Sequence, residues 1–112
     1  MELQVAAPVL GHIRPTLVAA LERRDPRAIH DALHLDAVAF CRGYGRPVRT
    51  HHGADAVADL LTAMSARADA WTVSHFDGLG VVLRGVCGDQ LVVSIDVRFE
   101  GERAAGMLLR VL

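Results

Sequence analysis

From Ala70 to the end of the chain, strand-like segments follow one another with little between them, and the clearest, LVVSIDVRFE, alternates with a period of two. Leu91, Val93, Ile95, Val97 and Phe99 fall on one face; Val92, Ser94, Asp96 and Arg98 fall on the other. Successive side chains of an extended strand point to opposite sides, so this pattern demands a sheet with one covered face. The segments AWTVSHF, GLGVVLRGVC, QLVVSIDVRF and RAAGMLLRVL are separated by Asp77-Gly78, Gly88-Asp89 and Glu100-Gly101, each a turn signal. A chain that spends its second half on an antiparallel meander must find the cover for that sheet in its first half.

The last hairpin can be put in register. Gly101 suits the left-handed third position of a loop Phe99-Glu100-Gly101, so Arg98 faces Glu102. The pairs then run back as Val97 with Arg103, Ile95 with Ala105, Val93 with Met107 and Leu91 with Leu109. A two-residue Glu100-Gly101 turn would mix polar and apolar residues on both faces. In this register the odd-numbered face turns to the helices and Asp96 points away from them. The outer face carries Val86, Val92 and Leu108 beside Asp96 and Arg98, a half-apolar surface suited to pairing two copies in a homodimer. Arg84 and Arg98 are expected as cross-strand partners of Asp96.

The cover comes from three helical stretches. Pro15 suits a first helical turn, and Leu17, Val18 and Leu21 recur at helical spacing until Asp25-Pro26 interrupts. Asp25 then caps a second short helix with Pro26 at its first position and Ile29 and Leu33 on one face. DAVAFCRGYGRPVRTHH reads as two short strands around Gly43-Tyr44-Gly45. GADAVADLLTAMSARA is the clearest helix, with Ala54, Val57, Leu60, Leu61 and Met64 in one stripe and Asp55 and Asp59 outward. Residues 1–11, broken by Pro8 and Gly11, read as an N-terminal arm, and residues 12–112 as one domain.

Composition narrows the function classes. The chain has 112 residues, 52% hydrophobic, with a formal net charge of −1 and no basic run. That is enough for one core and gives no electrostatic footprint for nucleic acid. No apolar stretch is long enough to cross a bilayer, so no membrane partner is expected. Two isolated cysteines, Cys41 and Cys87, make no disulfide framework, and a reduced cytoplasmic protein is the simplest account.

In order, two helices, two short strands, a third helix and a long meander resemble the nuclear transport factor 2-like superfamily, which includes SnoaL-like cyclases and ketosteroid isomerases. The stretches that carry the resemblance are LVAALERRDPRAIHDALHLDAVAF, HHGADAVADLL and VVSIDVRFEGERAAGMLLRVL. It implies an α+β fold, a cone-shaped curved antiparallel sheet wrapped around three helices, with a ligand pocket in the mouth. Ketosteroid isomerases place a tyrosine donor, a general-base aspartate and a protonated aspartate at positions that match Leu17, Cys41 and Ile95. All three roles are missing, so steroid-type isomerisation by those residues is not expected. The aspartate–arginine–aspartate set of limonene-epoxide-hydrolase-like members is not supported by Asp96-Val97-Arg98 either.

Two residues remain as candidates for chemistry. The resemblance places Cys41 deep in the pocket, where a thiolate could act as base or nucleophile beside a histidine; its other reading is a small buried hydrophobe. His75 shares a strand face with Trp71 and Val73, and if that face is inward it is an acid–base group at the pocket wall. His30 and His34, spaced as on one helix face, lack a third ligand, and adjacent His51 and His52 point to opposite sides, so no metal or cofactor is expected. The reading is therefore a binding domain for a small, largely apolar ligand, with a pocket of Leu17, Ala39, Cys41, Met64, Trp71, His75, Ile95 and Met107. A SnoaL-like enzyme working on a polyketide-like carbonyl compound, and a pure dimerisation module, are the alternatives.

Overall fold

The computed structural model describes residues 14–43, 45–75 and 80–112. The proposed N-terminal arm, Tyr44 and the Asp77-Gly78 turn lie outside the described residues, as does the side chain of His75. The chain opens with a π-helical turn, Arg14–Val18, that runs into α1 (Ala19–Arg23); α2 (Pro26–Asp31) and α3 (Ala54–Ser65) complete the helical layer. The strands are β1 (Leu33–Gly43), β2 (Arg49–His52), β3 (Ala70–His75), β4 (Gly80–Cys87), β5 (Gln90–Glu100) and β6 (Arg103–Val111). They form one six-stranded sheet in the order β2-β1-β6-β5-β4-β3, open at both edges.

Local chemistry explains the helix boundaries. Asp25 accepts hydrogen bonds from the backbone N–H groups of Arg27 and Ala28, and Pro26 occupies the first position of α2, as expected from the sequence. Before it, α1 ends on Arg24 with φ +54°, a left-handed cap held by a non-glycine residue. The Arg24 guanidinium donates to the carbonyls of Ser65 at 3.1 Å and Ala68 at 2.9 Å, satisfying groups that the end of α3 leaves without helical partners. His30 bonds Asp55 at 2.8 Å and ties α2 to the first turn of α3.

α2 is shorter than its spacing suggested. It stops at Asp31, and Leu33 and His34 belong to β1, because Leu33 pairs with Ala104 of β6. The strand ladder outcompetes the last helical turn, so His30 and His34 share no helix face. β1 and β6 run parallel, while every other neighbouring pair is antiparallel, which departs from the wholly antiparallel expectation.

The terminal hairpin differs from its expected register in an instructive way. Glu100 pairs with Arg103 around a two-residue Gly101-Glu102 turn, and φ +63° at Gly101 supplies the left-handed conformation that such a turn needs. A shift between Arg98 and Phe99 then leaves Val97 opposite Met107 and Ile95 opposite Leu109. The observed partners are four positions away from the expected ones. Four is even, so the parity of the faces survives: Val93, Ile95, Val97, Met107 and Leu109 are all buried. Asp96 does lie on the outer face, but opposite Val82 and Leu108; Arg84 instead donates to Ser74 at 3.3 Å. The expected pairing of Asp96 with Arg84 or Arg98 is therefore not formed, because those residues occupy neighbouring rungs.

Further shifts at Leu33/Val38 and Gly85/Val86 give the sheet its curvature. The concave face closes on a single core to which the helices contribute Leu17, Leu21, Ile29, Val57 and Leu61. Close packing leaves no room for a side chain at Gly85. A Cβ there would stand 2.8 Å from Val93 Cγ1 and 3.0 Å from both Ala68 Cβ and Trp71 Cη2. No helix among the described residues is long and apolar enough to cross a membrane.

Candidate functional site

Where β1, β2 and β6 run past the end of the helical layer, the core gives way to an open cavity of about 470 Å³. Its position follows from the registers. Ala39 and Cys41 face inward on β1; across the β1–β2 pair they stand opposite His51 and Arg49, and on the other side opposite Met107 and Leu109 of β6. Ala39 is fully buried, whereas Cys41, two residues further along, is only half-buried and lines the cavity. The transition from core to opening falls between them.

The apolar part of the wall is supplied by Leu60, Met64, Val111 and Leu112. Leu60 and Met64 are four residues apart on α3 and so share one helix face. They flank the buried stripe of Ala54, Val57, Ala58, Leu61 and Ser65 and remain half-buried over the cavity. The polar part consists of Arg46, Arg49, Arg67 and His51. Among the described residues that line this cavity there is no aspartate or glutamate.

The Cys41 thiol is raised above its ordinary value of 9.0, chiefly because burial disfavours the thiolate, with the nearby Arg49 charge working in the opposite direction. At neutral pH the group is a thiol, a weak donor and poor nucleophile. Cys87 is also free; it is exposed, and its thiol is raised by a hydrogen bond from the thiol to Asp69 and by that residue's charge.

Of the residues read from the sequence as pocket lining, Cys41 and Met64 meet at this cavity. Leu17, Ala39, Trp71, Ile95 and Met107 sit in the closed core, each 8% exposed or less. Trp71 is at the far side of the sheet, on β3, and its buried indole Nε1 has no hydrogen-bond partner. The His75 backbone pairs with Val81 at the end of β3, five strands away from β2 in the sheet order. His51 and His52 point to opposite sides, as expected: the first lines the cavity and the second is exposed opposite Val38. Among the described residues no three metal-ligating side chains gather.

The arginines were not expected at the site from the sequence, and His51 was weighed there only as a metal ligand. The signal for Arg49 and His51 lay in the register of β1 with β2, in which Cys41 faces Arg49 and Ala39 faces His51. A turn centred on Gly43-Tyr44-Gly45 hides that relation.

No protein-family model matches the sequence, and no curated relative matches it. Solved structures do share the fold. A protein from Sinorhizobium meliloti described as a candidate polyketide cyclase superposes with a TM-score of 0.59 at 16% identity, over 91% of this chain and 93% of that one. A protein of unknown function from Burkholderia xenovorans, described as NTF-2 like, gives 0.63 at 12% identity over 90% and 80%. A de novo designed protein with a curved β-sheet gives 0.64 at 15% identity over 93% and 84%. At these identities the likeness concerns backbone architecture.

Proposed function

The chain has the nuclear transport factor 2-like fold, and from that premise we propose that it is a small-molecule binding domain whose ligand sits in the cavity beside Cys41. The observation that carries this reading is the apolar wall of Leu60, Met64, Val111 and Leu112 around a space of about 470 Å³. That volume lies within the range of ordinary ligand sites, and a mostly apolar wall with a few convergent polar groups is their usual composition. Binding is favoured over catalysis by the titratable groups in the cavity. Among the described lining residues they are a thiol that burial keeps protonated and His51, with no aspartate or glutamate side chain in the lining. Proton transfer on a carbonyl compound, the reading that the cyclase-like neighbour suggests, asks for a positioned acid–base pair.

Amide shift mapping of the isotope-labelled chain with octanol and with octanoate tests the proposal. Changes centred on Cys41, Gly43, Leu60, Met64 and Val111 support it. Saturating octanol and saturating octanoate that both leave these amides unmoved contradict it.

The outer sheet face supports a second element, self-association. Phe40 is 45% exposed, opposite Leu108, and Leu108 lies opposite Asp96 on the next strand. This aliphatic and aromatic row carries one acidic residue and is bordered by Arg84, Arg98 and Arg110. Two copies related by a twofold axis would set Asp96 of each against arginines of the other. Val86 and Val92 are half-buried at the margin of the same surface, and Val92 also packs against the core of its own chain.

A further inference from the structure

The cavity differs from a plain apolar pocket in one respect, the sign of its charge. The chain as a whole carries 12 basic and 13 acidic residues, yet the described residues that line the cavity include three arginines and no aspartate or glutamate. Elsewhere three acidic residues lie against histidines: Asp55 and Asp31 against His30, and Glu100 against His34. The side chains of Arg46, Arg49 and Arg67 form no ion pair among the described residues. They converge from three separate elements: the connection after β1, the start of β2, and the turn after α3. Arg67 lies in the turn beyond α3, where its backbone N–H donates to the Met64 carbonyl at 3.0 Å, so it stays beside Met64 at the cavity. The charge of Arg49 already lowers the Cys41 thiol against the effect of burial, so its field reaches into the cavity.

Resting on the binding reading above, we infer that the ligand is an amphipathic oxyanion, an apolar body on Leu60, Met64 and Val111 with a carboxylate or similar head between Arg49 and Arg67. Guanidinium groups are always charged and present planar pairs of donors that match a carboxylate. An apolar wall continuous with a cationic rim fits a molecule divided the same way. A wholly apolar ligand would leave the arginines idle, and a cationic one would be repelled. The arginines are exposed, so part of their attraction is screened and the affinity falls as salt rises.

Calorimetric titration of the full chain with octanoate, octanol, octylammonium and inorganic phosphate tests the inference. Octanoate is expected to bind roughly tenfold more tightly than octanol, the difference that charge-assisted hydrogen bonds supply, and octylammonium most weakly. Arg49→Gln and Arg67→Gln should each remove several-fold of the octanoate affinity while leaving octanol unchanged, and Arg49→Lys should keep most of it. Equal binding of octanoate and octanol, unaffected by both substitutions, overturns the anionic head and leaves the apolar-ligand reading standing. Phosphate that binds as tightly as octanoate overturns the amphipathic character. Failure of octanoate and octanol alike to bind overturns the binding reading and this inference together.

Discussion

Arg49 stands directly opposite Cys41 across the β1–β2 pair, with both residues on the inner face at the point where the core opens into the cavity. This pairing makes the thiol a reporter of the site. Burial raises its pKa and Arg49 lowers it, so Arg49→Gln removes the opposing influence and raises the thiol further. In a Cys87→Ser background, alkylation of Cys41 at mildly alkaline pH is expected to be slower than that of a free thiol. It is expected to be slower again in Arg49→Gln, because only the thiolate reacts.

The same shift has a consequence for stability. The folded thiol ionises at a higher pH than the unfolded one, whose ordinary value is 9.0. The stabilisation from keeping Cys41 neutral is fully present below that value and is lost as pH rises from there through the folded value. Urea unfolding across this alkaline range should show a decline that is smaller in Cys41→Ser, again in the Cys87→Ser background.

Gly85 is required by packing. A Cβ at this position meets Val93, Ala68 and Trp71 at 2.8 to 3.0 Å. Gly85→Ala is expected to destabilise the fold by about 1–3 kcal/mol, the range for an overpacked core. Chemical denaturation followed by circular dichroism checks this without relying on the emission of the adjacent Trp71.

Arg24 combines a left-handed backbone with two hydrogen bonds to the end of α3. Arg24→Ala loses the bonds and keeps the strained conformation, for an expected loss of about 1–3 kcal/mol. Arg24→Gly loses the same bonds but relieves the backbone, and should be about 1 kcal/mol less damaging than alanine. Equal losses in the two variants would show that the left-handed conformation carries no strain.

Self-association through the outer face predicts a dimer in light scattering, converted to a monomer by Phe40→Glu with little change in thermal stability. A monomeric parent chain would remove the pairing of Asp96 with arginines of a second copy.

The architecture was readable because its strongest signals are local and periodic. The alternation of LVVSIDVRFE placed Val93, Ile95 and Val97 on the inner face correctly even though the hairpin is displaced by four positions, since an even displacement preserves parity; Leu91, expected on the same face, is exposed beyond the irregularity at Gly85/Val86. Asp25-Pro26 marked a helix start by its own hydrogen-bonding chemistry. The cavity was less readable. Met64 and Cys41 were found from helical spacing and family resemblance, but Arg49 depends on the β1–β2 register and Arg67 stands in the turn beyond α3. Trp71, Ile95 and Met107 share the inner face of the sheet with Cys41. Alternation tells which side a residue faces, while depth along the strand decides whether it ends in the core or at the opening.

The most direct test of the central claim, that the cavity beside Cys41 is the ligand site, is the alkylation rate of Cys41 in the Cys87→Ser chain with and without saturating octanoate. Occupancy of a space that the thiol lines predicts marked protection, reduced in Arg49→Gln at the same octanoate concentration. An unchanged rate at saturation would place the ligand elsewhere and contradict the account.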